Sequence, residues 1–174
     1  MQRKDILLLT VAGLVILFDQ LTKAWIMATL PVHQGFPVVD GLINIVHVRN
    51  PGAAFGFLAG AAPAFRSVFF IAVTVVALLI IFQYLRKARV EERSLVVALA
   101  LIVGGALGNL VDRVRFGEVV DFLDVYLGDY HWPAFNVADS AISVGAALLA
   151  IILLGRPKEG AQERKGGGHL PTSR

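Results

Sequence analysis

The sequence predicts an all-α membrane protein, built as a bundle of four transmembrane helices with a small extracytoplasmic β-rich segment. Of the 174 residues, 56% are hydrophobic and only 17% are charged, whereas a soluble domain is about 45–50% apolar and about one quarter charged. A helix needs roughly 20 residues to cross a bilayer core. Four separate stretches of the chain are apolar over nearly this length. The excess apolar surface therefore faces lipid, and a chain of this length forms one domain.

The four apolar stretches predict helices at about 6–30, 67–85, 95–111 and 138–154 of a membrane domain that covers 1–156. The first stretch begins with basic residues, as a signal peptide does. It has no clear small-x-small cleavage site, however, and three more spans follow it. We therefore expect a permanent helix at the N-terminus.

The positions of Lys and Arg predict the orientation of the bundle. They are about twice as numerous at the N-terminus, in the connection after residue 85 and in the tail as on the other side of the helices. By the positive-inside rule, both termini are expected in the cytoplasm. The segments 31–66 and 112–137 then face outward. The tail 157–174, rich in Gly, Lys, Arg and Glu, is expected to be disordered and cytoplasmic.

The outer segment 31–66 contains the pattern of a β-hairpin. Apolar runs at 38–39 and 42–48 flank the dipeptide Asp40-Gly41, which favours a tight turn. Asn50, Pro51 and Gly52 then end the second run. An extended backbone with an apolar face suits the membrane surface, and we expect the segment 38–57 to hold a peptide by strand pairing.

Acidic residues near membrane depth are the first candidates for chemistry, because charge is costly there and by default indicates function. Six of the thirteen acidic residues are candidates on this ground: Asp19, Asp112, Glu118, Asp121, Asp124 and Asp139. The sequence contains no cysteine, which excludes thiol nucleophiles, disulfides and cysteine metal sites.

Asp121 and Asp139 are each open to two interpretations. Asp139 begins the fourth helix, where Asn136 can cap the helix and the helix dipole favours a negative charge. Asp121 has apolar neighbours on both sides, so it is either pressed into a nonpolar surface or points to water from a half-buried strand. If the third and fourth helices pack together, the two carboxyl groups meet near the outer surface. Such a pair shares one proton and can activate water, with Asp139 as the base and Asp121 as the proton holder.

Other polar residues near the helix ends have supporting or structural interpretations. Gly104 and Gly108 form a small-xxx-small pattern that favours close helix packing. Asp112 and Arg113 either form an interface salt bridge or leave Arg113 free for a phosphate or a peptide carbonyl. Asp19 and Lys23 are four residues apart, which favours a structural ion pair at the outer interface, although Lys23 could instead snorkel outward.

Five motifs in this order and spacing resemble those of the lipoprotein signal peptidase family, also called type II signal peptidases. They run from Asp19 to Ser140, with no departure at a motif position, and the tail after Arg156 lies outside the resemblance. The motifs are Asp19-Gln20-Leu21-Thr22-Lys23, Asn50-Pro51-Gly52-Ala53-Ala54-Phe55-Gly56, Gly104-Gly105-Ala106-Leu107-Gly108-Asn109-Leu110-Val111-Asp112-Arg113, Val119-Val120-Asp121-Phe122 and Phe135-Asn136-Val137-Ala138-Asp139-Ser140.

The resemblance implies a membrane aspartyl endopeptidase of the bacterial inner membrane. The family removes signal peptides from diacylglyceryl-modified prolipoproteins, cutting before the lipidated cysteine, without metal or cofactor. Globomycin-type peptides inhibit it at the same site. The implied catalytic residues are Asp121 and Asp139. The implied supporting positions are Asn50, Gly52, Asn109, Arg113 and Asn136, with Asp19, Lys23 and Asp112 in structural or assisting roles. We expect membrane lipids as neighbours, no nucleic acid and a monomer.

Four alternatives remain open from the residues alone. A proton-coupled transporter could use the same acids as a relay, although the polar residues cluster on one side of the membrane. A serine–lysine peptidase would use Ser140 and Lys23, but no Gly-x-Ser-x-Gly elbow is present. A metal enzyme is disfavoured because no His-Glu-x-x-His motif occurs and the histidines show no ligand spacing: His33, His47, His131 and His169. A purely structural protein would tolerate substitution of the two aspartates.

Overall fold

A computed structural model describes residues 2–52, 58, 60–87 and 92–155 of the chain. Its four helices and four strands confirm the predicted architecture, and each helix is long and apolar enough to cross a membrane. The elements are α1 (Arg3–Thr29), β1 (Gly35–Val39), β2 (Ile43–Asn50), α2 (Pro63–Lys87), α3 (Arg93–Phe116), β3 (Val119–Leu127), β4 (Tyr130–His131) and α4 (Val137–Leu154). The tail expected to be disordered and residues 53–57 of the expected peptide-binding segment lie outside the described residues.

The helix α3 is longer than the hydropathy pattern predicts. It continues five residues beyond 111 to Phe116 and ends where Gly117 adopts a left-handed conformation with φ +78°, which glycine accepts without a steric penalty. The Gly117 N–H donates to the carbonyl of Arg113 over 2.9 Å. Asp112 and Arg113, expected in the outer segment, therefore lie in the helix. Their charge ends the apolar run but not the helix.

Small residues on α3 bring the central helices into close contact. A Cβ atom at Gly104 would meet the backbone of Ala12 in α1, and one at Gly105 would run into the carbonyl oxygen of Ala138 in α4. At Gly108 it would lie 3.3 Å from the Ala138 side chain and still closer to Asp19. This arrangement confirms the packing role of Gly104 and Gly108, because only glycine permits such approach.

The strands form one antiparallel sheet in the order β1-β2-β3-β4. The hairpin prediction is confirmed, although the connection also includes Leu42 and the strand begins one residue later. Gly41 takes a φ of +78°, and its N–H donates to the Tyr126 hydroxyl over 2.9 Å. The pairing of β2 with β3, which places Val48 opposite Asp121, was not indicated by any local pattern.

The sheet is joined to the helices by a small apolar core. Ile26 of α1 packs with Val120 and Phe122 of β3, and all three are at most 5% exposed. This core places the buried end of β3 against the C-terminal parts of α1 and α3 and the start of α4. The candidate site lies at that junction.

Candidate active site

Asp139 is held at the start of α4 by a reciprocal cap. The Asn136 side-chain oxygen accepts from the Asp139 N–H over 2.9 Å, and the Asn136 N–H donates to Asp139 Oδ2 over 3.3 Å. This capping box satisfies two N–H groups that the helix leaves free. The predicted Asn136 cap is therefore present, and Asp139 stays half-buried with a face open to the surroundings.

Asp121 is almost fully buried, at 1% exposure, on β3. The Asn136 amide donates to Oδ1 over 2.7 Å, and the Asn50 amide donates to Oδ2 over 2.8 Å. Asn50 reaches this position because β2 pairs with β3. Asp121 therefore points into the protein, and the alternative in which it points to water is wrong.

Asn109 links the two aspartates into one network. Its amide donates to Asp139 Oδ1 over 2.7 Å, and its oxygen accepts from the Asn136 amide over 3.2 Å. The side-chain NH₂ groups of all three asparagines thus point at carboxylates. The orientation of each amide is fixed because its oxygen accepts a hydrogen bond from a separate donor. Those donors are the Gly52 N–H for Asn50, the Lys23 ammonium for Asn109 and the Asp139 N–H for Asn136.

Burial raises the pKa of Asp121 to about 7, and the nearby charge of Asp139 contributes to that rise. The hydrogen bonds from Asn50 and Asn136 act in the opposite direction but do not cancel the desolvation. Near neutral pH this carboxyl therefore holds a proton for much of the time. A protonated carboxyl beside a second carboxylate can supply a general acid and a general base in one site.

Lys23 lies beneath this network in a buried ion cluster. Its ammonium is 2.9 Å from Asp19 Oδ2 and 2.9 Å from Asp112 Oδ2, and it donates to Asn109 Oδ1 over 2.9 Å. Lys23, Asp19 and Asp112 are all at most 1% exposed. The expected Asp19–Lys23 ion pair is present, but it is buried and shared with Asp112, so Lys23 does not snorkel outward.

Arg113 stands beside the site without pairing to its neighbour in sequence. Its guanidinium lies 3.5 Å from the Asn109 carbonyl oxygen and 5.2 Å from the centre of the Phe70 ring. Its charge interacts with the carboxylates of Asp139 and Asp121. The Asp112–Arg113 salt bridge is absent among the described residues, because Asp112 turns toward Lys23.

Gly52 is required by both conformation and space. Its φ is +87°, and a Cβ atom there would run into the Phe70 ring. Its N–H donates to the Asn50 side chain over 2.8 Å, which aims the Asn50 amide at Asp121. Gly52 therefore supports the site through its backbone.

The structure argues against two of the alternative chemistries. The Ser140 hydroxyl donates to the Asn136 carbonyl over 2.9 Å, and Lys23 is occupied by two carboxylates, so the two do not form a nucleophile–base pair. Among the described residues, no group of three or more His, Asp or Glu side chains is arranged to hold a metal ion; His169 lies outside this part of the chain.

Two of the six candidate acids lie outside the site. Asp124 forms a separate cluster near the sheet edge, where it is 2.9 Å from His131 Nδ1 and accepts from the Asn44 amide over 2.8 Å. Glu118 joins none of the site's hydrogen bonds in the part of the chain described.

Gln20 also belongs to the site, although it was not among the candidate residues predicted from the sequence. Its amide reaches Asp19 Oδ2 at 3.1 Å and Asp112 Oδ1 at 3.0 Å. Its position next to Asp19, on the predicted first helix, was the available signal. A half-buried polar side chain between two acidic candidates follows from the helix packing, which the sequence does not specify.

Fold and site together define a multi-pass membrane protein with paired carboxyl groups at one end of its helix bundle. The sequence model of the family described as Signal peptidase (SPase) II matches residues 11–155. The chain belongs to the signal peptidase II family, which makes it a peptidase and confirms the resemblance of the five motifs.

Curated relatives and solved structures agree with this assignment. The chain is 54% identical over 159 residues to a protein of Syntrophus aciditrophicus (strain SB) named Lipoprotein signal peptidase, covering 91% of this chain and 99% of that one. It is 56% identical to one of the same name from Geobacter sulfurreducens, over 80% and 86% of the two chains. A solved structure described as "Bacterial membrane enzyme structure by the in meso method at 1.9 A resolution" superposes with a TM-score of 0.77 at 37% identity, covering 86% and 94%.

Proposed function

We propose that this protein is an aspartyl endopeptidase that removes signal peptides from diacylglyceryl-modified prolipoproteins, cutting before the lipidated cysteine. The observation that carries the proposal is the network in which Asp121 and Asp139 are joined through Asn136 and Asn109. The name Lipoprotein signal peptidase, borne by relatives that cover most of the chain, supports the substrate class. Nothing in the comparisons favours a transporter.

The proposed chemistry uses one proton shared by the two aspartates. Ionised Asp139, stabilised at the positive end of the α4 dipole, takes a proton from water as the water oxygen attacks the scissile carbonyl carbon. Protonated Asp121 donates its proton to the carbonyl oxygen, which gives a tetrahedral diol. When the C–N bond breaks, Asp139 protonates the leaving nitrogen and Asp121 recovers a proton from the diol. No covalent enzyme intermediate forms.

The remaining polar groups are proposed to hold the substrate and the dyad. Asn109 and Asn136 fix the two carboxyl groups, and the Arg113 guanidinium is available to donate to a peptide carbonyl. The register of β1 with β2 ends at Val46, and the His47 carbonyl and N–H are bonded to His33 and Gln34 in the segment before β1. In the described part of the chain, the stretch of this β2 edge from Val48 to Asn50 is therefore available for strand pairing with an extended peptide.

The depth of the site suits a lipidated substrate. Counted from the ends of α1, α3 and α4 away from the sheet, Asp19, Asn109 and Asp139 each lie roughly 22–24 Å along the helix at about 1.5 Å per residue. Within a hydrocarbon core about 30 Å thick, that is near the outer surface if both termini are cytoplasmic. A scissile bond between a transmembrane signal helix and a lipidated cysteine lies at this depth. We propose a monomer in the bacterial inner membrane, inhibited by globomycin-type peptides.

Cleavage of a diacylglyceryl-modified prolipoprotein in lipid vesicles tests the proposal. We expect wild type to cut before the modified cysteine, with full activity in excess chelator. Asp121→Asn and Asp139→Asn should fold but lose at least roughly 10³-fold in rate, while Asp129→Asn, an exposed site in the turn between β3 and β4, keeps wild-type rates. Near-normal cleavage by either dyad variant would exclude the paired-carboxylate mechanism.

A further inference from the structure

A second pair of carboxylates lies buried beneath the candidate dyad. Asp19 and Asp112 are 0% and 1% exposed, and the Lys23 ammonium contacts Oδ2 of both at 2.9 Å. The ammonium contacts only one oxygen of each carboxylate. The remaining oxygens are buried, and a buried acceptor without a hydrogen bond is costly, so the pair requires further donors.

Gln20 supplies one of these donors. Its Nε2 is 3.1 Å from Asp19 Oδ2, 3.0 Å from Asp112 Oδ1 and 3.2 Å from the Gly108 carbonyl oxygen. All three neighbours are acceptors, so the amide must present its NH₂ group to them. The amide therefore bridges α1 and α3 between the two carboxylates.

The same two carboxylates hold the backbone that leads into each dyad residue. Asp112 Oδ2 accepts from the Val120 N–H over 3.1 Å, and Val120 directly precedes Asp121. Asp19 Oδ1 accepts from the Ala138 N–H over 2.9 Å, and Ala138 directly precedes Asp139. The distance between Asp19 and Asp112 therefore affects the distance between Asp121 and Asp139.

We propose that Gln20 is a positioning residue for the dyad. By bridging Asp19 and Asp112, its amide fixes the distance between the backbone N–H groups of Val120 and Ala138, the residues that directly precede Asp121 and Asp139. Gln20 does not touch the substrate and acts only through these two carboxylates. The inference rests on the proposed function, because it concerns the geometry of the same two catalytic groups.

Gln20→Leu removes the donor and keeps most of the side-chain volume. Because small displacements of reacting groups reduce rates strongly, we expect kcat to fall roughly 10- to 100-fold with KM within about threefold of wild type. Gln83→Leu is the matched control, since Gln83 lies exposed on α2, and it should behave as wild type. A Gln20→Leu variant with kcat within about twofold of wild type, or with only KM changed, overturns the proposal.

Gln20→Glu tests whether Gln20 acts as a hydrogen-bond donor or only fills space. The substitution keeps the shape of the side chain and replaces the NH₂ group with an acceptor. At neutral pH the introduced carboxylate faces two others, so its kcat should fall below that of Gln20→Leu. Its rate relative to wild type should rise as pH falls, since the protonated carboxyl can donate again. Wild-type rates for Gln20→Glu at neutral pH would mean that Gln20 only fills space.

Amide hydrogen exchange at Val120 and Ala138 tests the same point without an activity assay. Loss of the bridge should speed exchange at both amides by about tenfold in Gln20→Leu and leave it unchanged in Gln83→Leu. Unchanged exchange at both amides overturns the proposal even if kcat falls. If wild type does not cleave prolipoprotein, the proposed function fails, but the exchange rates still decide whether Gln20 holds these two peptide units.

Discussion

Replacing Asp121 by asparagine should change stability in opposite directions at low and high pH. Burial and the charge of Asp139 raise the pKa of Asp121 from 3.8 to about 7. A folded-state pKa above the unfolded one means that the folded protein binds the proton more tightly. The stability this provides is present below about pH 4 and is lost as the pH rises to about 7.

The size of the effect follows from the two pKa values. A difference of about three between them corresponds to about 4 kcal/mol lost by pH 8. The Asp121→Asn variant would avoid this loss, but its side chain has only one oxygen, and both Asn50 and Asn136 donate to this position. One donor is left without an acceptor, which costs about 1–3 kcal/mol. Asp121→Asn should therefore be about 1–3 kcal/mol more stable than wild type at pH 8 and less stable by a similar amount at pH 4.

Thermal unfolding in detergent micelles at pH 4.5 and pH 8 measures this change. For a chain of this size, 1 kcal/mol corresponds to roughly 2–4 °C in Tm. The Tm of Asp121→Asn minus that of wild type should be positive at pH 8 and negative at pH 4.5. A difference that is the same at both pH values would refute the conclusion that Asp121 keeps its proton in the folded protein.

Asp124→Asn is the matched control, three residues along the same strand. Burial acts to raise the pKa of Asp124, but hydrogen bonds from His131 and Asn44 outweigh it and leave that pKa below its ordinary value. A lowered folded-state pKa gives stability above the unfolded value, and this stability is lost as the pH falls. Asp124→Asn should therefore destabilise at both pH 8 and pH 4.5, because both values lie above the ordinary pKa of 3.8, and its effect should weaken only below about pH 4.

Three further predictions concern the cap, the pH profile and the helix contacts. Asn136→Ser should retain the helix cap but lose the donor to Asp121, so it should be about 1 kcal/mol more stable than Asn136→Ala. Both variants should cleave at least roughly 10²-fold more slowly than wild type. Equal Tm values for the two variants would argue against the cap. Cleavage rates measured from pH 5 to 9 should fall about tenfold per pH unit above pH 7, as Asp121 loses the proton that Asp139 cannot replace, and a rate that stays flat to pH 9 would contradict this. Gly105→Ala should lower Tm by an amount corresponding to about 1–3 kcal/mol, because its Cβ would run into α4, whereas Gly13→Ala, with nothing within 4 Å, should be neutral or slightly stabilising.

The local features of the site were predictable from the sequence. Asn136 and Asp139 are three residues apart at a helix start, and a capping box depends only on that spacing. Asp19 and Lys23 are one helical turn apart, so their contact also follows from periodicity. The packing role of Gly104 and Gly108 follows from their four-residue spacing in an apolar helix.

The partners across the fold could not be predicted in the same way. Asn50 and Asp121 are 71 residues apart and meet only because β2 pairs with β3. Gln20 and Asp112 are 92 residues apart and meet because α1 packs on α3. Hydrophobic periodicity indicates which face of an element is buried, but it does not specify which polar group on another element lies opposite.

The sequence by itself determined that the chain is a four-helix membrane protein and which acidic residues are candidates for its chemistry, because hydropathy, helix length and local spacing are properties of contiguous residues. Only the tertiary structure decided that Asp121 is buried, that Lys23 is shared between Asp19 and Asp112, and that Gln20 belongs to the site. These features depend on desolvation and on hydrogen bonds between distant segments, which arise when helices and sheet pack together and exclude water.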